Sequence, residues 1–240
     1  MTRLDGIPCW AELDVGDADP DAVIAFYGAV LGWTLGDDIG ADHQHRTVHH
    51  DRIPVAALGS PGATAPPAWT LYLAVDDVDA AADALEELGG QVLHGPDDDL
   101  AGGRLLVALD AGGAVVGLWE SDDPVLAPAP GRLCWAEAAS AEPGTTRTFY
   151  RELLGWQVAD ADADGRLVCH AGGGPVAGIG LAGDALPHWL AVFAVADVAA
   201  AVAAAREAGG SVVTADGRRA TLTDPAGAVF GVLEVALEVA

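Results

Sequence analysis

Residues 69–90 read WTLYLAVDDVDAAADALEELGG, and residues 189–210 read WLAVFAVADVAAAVAAAREAGG, the same pattern displaced by 120 residues. In each, an apolar run opened by tryptophan passes through an aspartate into an alanine-rich stretch closed by paired glycines. The apolar run over 69–75 predicts a strand, and Asp77 and Gly89-Gly90 bound a helix over 77–88. Working outward, PCWAELDV (8–15) matches LCWAEAAS (133–140) at an offset of 125. AFYGAVLGW (25–33) matches TFYRELLGW (148–156) at 123, and VHHDRIPVAALG (48–59) matches CHAGGGPVAGIG at 121. DAGGAVVGLWE (110–120) matches DPAGAVFGVLE (224–234) at 114. Offsets that shrink along the chain mark a duplication with small loop deletions.

A finer repeat lies within each half. A strand over 9–15 precedes a helix over 20–31, with Asp19-Pro20 as N-cap and first-turn proline and Gly32 as its stop. Val23, Phe26, Tyr27 and Val30 recur at helical spacing. Short β runs follow at 33–38, 45–50 and 53–58. The strand at 69–75 and the helix at 77–88 then lead to runs at 91–94, 104–109 and 114–120. The unit is βαβββ, present four times, in an α+β fold. Two units side by side predict a curved mixed sheet with helices on its convex side and an open concave cup, the natural place for a ligand. This gives one domain over 1–122, a Pro/Ala/Gly linker over 123–131, and a second domain over 132–240.

Composition bounds the partners. The chain is 51% hydrophobic, which excludes a disordered polymer, and no apolar run reaches the roughly 18–20 residues of a membrane span. The N-terminus lacks a signal-peptide pattern. Cys9, Cys134 and Cys169 form neither a disulfide framework nor a zinc motif, so a cytoplasmic protein with free thiols is expected. A formal net charge of −25 disfavours nucleic acid and anionic membranes. The expected partner is a small molecule, bound by a monomer or weak homodimer.

The series of FYxxxLGW, a strand with DV…AxxxxxxGG, and DPxGxxxxxxE resembles the vicinal oxygen chelate superfamily. That group holds glyoxalase I, bleomycin-resistance proteins, extradiol dioxygenases and fosfomycin-resistance enzymes. The resemblance covers nearly the whole chain, once per half, and is nearest to two-domain actinobacterial members described as hydroxylase-like or glyoxalase-like. It implies metal ligands, His and Glu, on the first and last strands of the βαβββ units. Those positions fall here on Trp10 and Trp135, on Thr70 and Leu190, and on Gly117 and Gly231. Indole, hydroxyl, isobutyl and hydrogen cannot replace imidazole and carboxylate donors. The expectation is therefore no metal and no cofactor. His43, His45, His49 and His50 are dense enough to raise a metal site, but lie near a strand connection with no cysteine motif or paired carboxylate nearby.

Strand alternation turns Trp10, Glu12 and Asp14 into the first cup and Ala11, Leu13 and Val15 toward the helices. Trp135 and Glu137 repeat this in the second cup, with Ala139 in place of Asp14. Glu12, Glu137, His49 and His170 are the candidate acid/base residues. Trp10, Asp14, Thr70, Tyr72, Gly117, Trp119, Trp135, Leu190 and Gly231 are the candidate substrate contacts, with the two glycines leaving room for a flat, apolar or aromatic ligand. Trp33, Trp156, Trp69 and Trp189 are assigned to packing. Cys169 and His170, as strand neighbours, point to opposite faces and form no nucleophile–base pair. Three functions remain open: a metal-independent acid/base enzyme of specialised metabolism, a drug-sequestering protein of the bleomycin-resistance type, and a metal enzyme with a relocated site.

Overall fold

The computed structural model describes residues 6–39, 45–59, 66–98, 103–121, 127–161 and 165–236. In the first half, β1 (Pro8–Asp14) leads to α1 (Pro20–Leu31), β2 (Thr34–Ile39), β3 (His45–His50) and β4 (Ile53–Gly59). The series repeats as β5 (Ala68–Ala74), α2 (Val78–Glu87), β6 (Gln91–Asp98), β7 (Arg104–Leu109) and β8 (Val115–Glu120). The second half gives β9 (Leu133–Ser140), α3 (Pro143–Leu154), β10 (Gln157–Val158), β11 (Leu167–Ala171) and β12 (Gly174–Leu181). It closes with β13 (His188–Val195), α4 (Val198–Glu207), β14 (Ser211–Asp216), β15 (Arg219–Thr223) and β16 (Val229–Glu234). The fourfold βαβββ series is present. β6 continues to Asp98, beyond the run expected at 91–94, because bulges let it pair with β7 past His94.

Each half supplies one eight-stranded mixed sheet, in the order β2-β3-β4-β1-β5-β8-β7-β6 and its counterpart β10-β11-β12-β9-β13-β16-β15-β14. Within a module the first strand runs parallel to the last, as β1 does to β4, and the hairpins are antiparallel. The helix boundaries follow local chemistry. Asp19 caps α1 by accepting from Asp21 N–H, and Gly32 closes it in the left-handed region at φ 72°, where a β-carbon is strained. Asp77 and Asp197 cap α2 and α4 through the N–H groups of Ala80 and Ala200.

The backbone divides into two compact units that cut across the halves. One comprises Met1–Cys9, Leu71–Val125 and Trp135–Leu190, the other Trp10–Thr70, Leu126–Cys134 and Ala191–Ala240. Helix α1 therefore packs against α4 in one unit, and α2 against α3 in the other.

The core of each unit is an aromatic cluster. Tyr27 stacks on Trp33 at 5.2 Å between centroids and meets Trp69 edge-on. Tyr150 repeats this with Trp156 at 4.9 Å and with Trp189. Trp69 Nε1 donates to Tyr27 Oη at 3.0 Å, which donates to Asp224 Oδ2 at 3.1 Å. Trp189 Nε1 and Tyr150 Oη make the same chain to Asp110 Oδ2. The four tryptophans assigned to packing are buried as expected. Trp33 and Trp156 also donate to the carbonyls of Gly131 and Gly6, which anchors the start of each half.

Candidate active face

Strand β1 carries buried Ala11, Leu13 and Val15 on one side, with Trp10, Glu12 and Asp14 partly exposed on the other. The alternation expected from sequence holds. Thr47 of β3 and Glu12 of β1 both stand opposite Ala57 of β4, so they share the face away from the helix. On this face His45 Nε2 lies 2.9 Å from Glu12 Oε1, with side-chain exposures of 40% and 22%. The neighbouring position on β4 is Gly59, where a β-carbon would come within 3.1 Å of Glu12 Oε1. The absence of a side chain there leaves the carboxylate its place. Asp14, opposite Gly59, commits one oxygen to the N–H of Gly16 at 2.8 Å and so also serves the turn that ends β1.

The β run expected over 45–50 is present and carries three of the four clustered histidines. His45, His49 and His50 belong to β3 itself, and His43 lies outside the described residues. His49 follows a bulge after Val48 and lies over Gly36, where a β-carbon would meet its ring at 2.2 Å. His50 turns toward Gly131. The residue that joins Glu12 is His45, a member of the histidine cluster, and not the expected acid/base candidate His49.

The second half repeats this geometry with different chemistry. Trp135 Nε1 donates to Glu137 Oε1 at 3.2 Å, and Arg166 Nη1 lies 3.8 Å from the same oxygen. Gly178 faces Glu137 across β12, and Gly180 lies against Arg166 Cγ. His170 is not part of this group. It follows a bulge after Cys169 and lines a cavity of about 510 Å³ with Glu152, Gln157, the end of α3 and Gly172-Gly173. Cys169 is buried, and burial pushes its thiol up to about 12 against the opposing charge of Arg147. A thiol in that state is a poor nucleophile.

The remaining candidate contacts revise the picture of vacated space. Gly117 stands opposite Tyr72, and a β-carbon at 117 would fall 2.1 Å from Tyr72 Cδ1. At Gly231 a β-carbon would meet Val192 Cγ2 at 2.8 Å. The room expected for a ligand at both glycines is occupied by the protein's own side chains. Tyr72 and Leu190 are themselves buried, and Thr70 and Trp119 are partly exposed. Trp119 Nε1 sits beside Gly103, where a β-carbon would lie 2.8 Å away.

Two carboxylates outside the candidate set have structural tasks. Glu120 accepts from the first-turn N–H of Val78, and Glu234 from that of Val198, so the glutamates that end DAGGAVVGLWE and DPAGAVFGVLE each serve a helix N-terminus. Their spacing from the turns opened by Asp110 and Asp224 is visible in the sequence, but not the helix they reach.

The positions that the family resemblance implies for a divalent ion hold indole, hydroxyl, isobutyl and glycine, and this donor set does not fit such an ion. Among the described residues, no three His, Cys, Asp or Glu side chains gather to hold one elsewhere.

Family models match both halves. Residues 11–118 match the glyoxalase/bleomycin resistance protein/dioxygenase superfamily, and residues 135–233 match a glyoxalase-like domain. The chain is 36% identical to the anthracycline biosynthesis protein DnrV of Streptomyces peucetius, covering 98% of this chain and 96% of that protein. A Mn(II)-bound glyoxalase from Novosphingobium aromaticivorans shares the fold with a TM-score of 0.68 at 19% identity, covering 98% of this chain and 83% of that one. The 2,3-dioxygenase LapB from Pseudomonas sp. KL28 does so with a TM-score of 0.68 at 15% identity, covering 99% and 95%. The chain thus belongs to the glyoxalase/bleomycin resistance protein/dioxygenase superfamily, as two tandem copies of its domain.

Proposed function

We propose that this protein is a metal-independent enzyme that performs general acid/base chemistry on an apolar or aromatic, natural-product-like small molecule. The observation that carries the reading is the hydrogen-bonded pair of Glu12 and His45 on the face of β1 and β3 away from the helix. A carboxylate and an imidazole in contact, neither fully buried, have the residue types and access that proton transfer to a bound ligand requires. Trp10, two residues before Glu12 on the same strand face, offers an indole surface for a planar ring. The similarity to DnrV over almost the whole length of both chains supports a ligand from the same broad chemical world.

The test is replacement of Glu12 and Glu137, separately, by Gln, with turnover and affinity measured on anthracycline-type aromatic polyketides. Glu12→Gln is expected to lose about 10²-fold or more in turnover with affinity kept, the usual scale of a lost acid/base group. Unchanged turnover in both variants removes these carboxylates from the mechanism. A second reading, sequestration without chemistry, draws on the net charge of −25, which favours a cationic ligand. Tight binding of such a ligand, unaltered on release and indifferent to Glu12→Gln, supports it instead.

A further inference from the structure

We infer that the duplication has divided its labour: the first half keeps a proton-exchanging pair, Glu12 with His45, whereas the second holds a fixed ion pair, Glu137 with Arg166. The inference deepens the acid/base reading above and rests on it for the catalytic role of the first pair.

The two pairs are built from matched parts. The 121-residue offset that aligns Pro54 with Pro175 also aligns His45 with Arg166, Ala57 with Gly178 and Gly59 with Gly180. Glu12 stands opposite Ala57 across β4, and Glu137 opposite Gly178 across β12. In both halves the partner side chain comes from the start of the second hairpin strand, His45 opening β3 and Arg166 directly preceding β11. In both, the next same-face position of the intervening strand is a glycine lying against the pair, Gly59 near Glu12 and Gly180 near Arg166. The scaffold is shared and the base differs.

That difference decides the chemistry. An imidazole gains and loses a proton between about pH 5 and 8, so a Glu–His pair changes protonation in the range where enzymes work. A guanidinium keeps its charge until above about pH 12, so a Glu–Arg pair has no exchangeable proton there. The second half also binds the carboxylate through the Trp135 indole, and it carries Ala139 where the first half has Asp14. Around His45, Glu12 of β1 lies in ion-pair contact, Asp14 follows Glu12 on the same strand face, β4 presents Ala57 and Gly59, and β2 sets Ile39 opposite His45 in register. His45 thus acts through Glu12, as a positioning and proton-holding residue.

Ring-proton NMR across pH 5–9 tests this on the full chain, with the His45 signal assigned by its loss in His45→Gln. Glu12→Gln is expected to lower the His45 midpoint by about one unit, the shift expected when an opposite charge within ~4–6 Å is removed. Glu137→Gln is expected to leave it in place. In Arg166→His a new ring signal is expected, and adding Glu137→Gln lowers its midpoint in turn. A His45 midpoint indifferent to Glu12→Gln overturns the inference, as does one that moves with Glu137→Gln. A coupled midpoint together with unchanged turnover in Glu12→Gln instead overturns the acid/base reading, and with it the catalytic role given to the first pair. Retention of wild-type indole signals in each variant separates these results from misfolding.

Discussion

Gly117 and Tyr72 show what a single residue position contributes. From sequence alone, a glycine at a family ligand position leaves open space. In the structure the Tyr72 ring lies where a residue-117 side chain would begin, and Tyr72 is only 4% exposed. Gly117→Ala is therefore expected to cost about 1–3 kcal/mol through overpacking, read as a lower midpoint in urea with unchanged slope. A midpoint equal to that of the wild type would show that the ring shifts freely. The thiols of half-buried Cys134 and buried Cys169 give a second expectation at this scale. Burial raises Cys134 and Cys169 to about 12, against Arg219 and Arg147 respectively. Iodoacetamide at pH 8 is expected to leave both unlabelled in the native protein and to label both after unfolding, by mass spectrometry. His45 marks the limit of residue-level reading. Its place on the strand was legible, but its partner depends on a register across two other strands, which no local pattern encodes.

At the scale of the element, helix positions were legible because their causes are local. Asp19, Pro20 and Gly32 are caps and stops whose meaning depends on neighbouring residues, and the structure places α1 between them. Strand bulges were not legible, since the shifts after Val48 and Cys169 that re-aim His49 and His170 arise from pairing with a distant strand. The motif residues that carry the family resemblance prove to be scaffold. Tyr27, Trp69 and Asp224 form one buried hydrogen-bonded chain, and Tyr150, Trp189 and Asp110 form its copy. Tyr27→Phe leaves an indole N–H and a carboxylate oxygen unsatisfied and is expected to destabilise by about 1–3 kcal/mol in chemical denaturation. Burial raises the Asp224 carboxyl above its ordinary value, opposed by hydrogen bonds from Ala228, Tyr27, Gly227 and Ala226. A carboxyl raised on folding contributes stability that is complete below its unfolded value and is lost as pH rises through its folded value. Wild type is thus expected to gain stability relative to Asp224→Asn as pH falls from 7 to 4. A constant difference over that range would contradict this assignment.

For the whole molecule, the duplication was readable as a repeat, but the pairing of modules was not. Each sheet comes from one half, whereas each compact unit takes modules from both. Phe26 of α1 meets Phe230 edge-on at 6.0 Å, so the apolar face of α1 is covered by the other end of the chain. Residues 1–122 expressed alone expose that face and are expected to self-associate in size-exclusion chromatography. A folded monomer with the thermal midpoint of the full chain would contradict the shared core. The central proposal, that the family's ion-holding positions no longer bind an ion in this chain, is tested most directly by calorimetric titration of chelator-treated protein with Mn(II), Fe(II) and Zn(II). The expected result is no stoichiometric binding of any of the three ions. One equivalent bound per chain, and lost in Glu12→Gln or Glu137→Gln, would contradict the account.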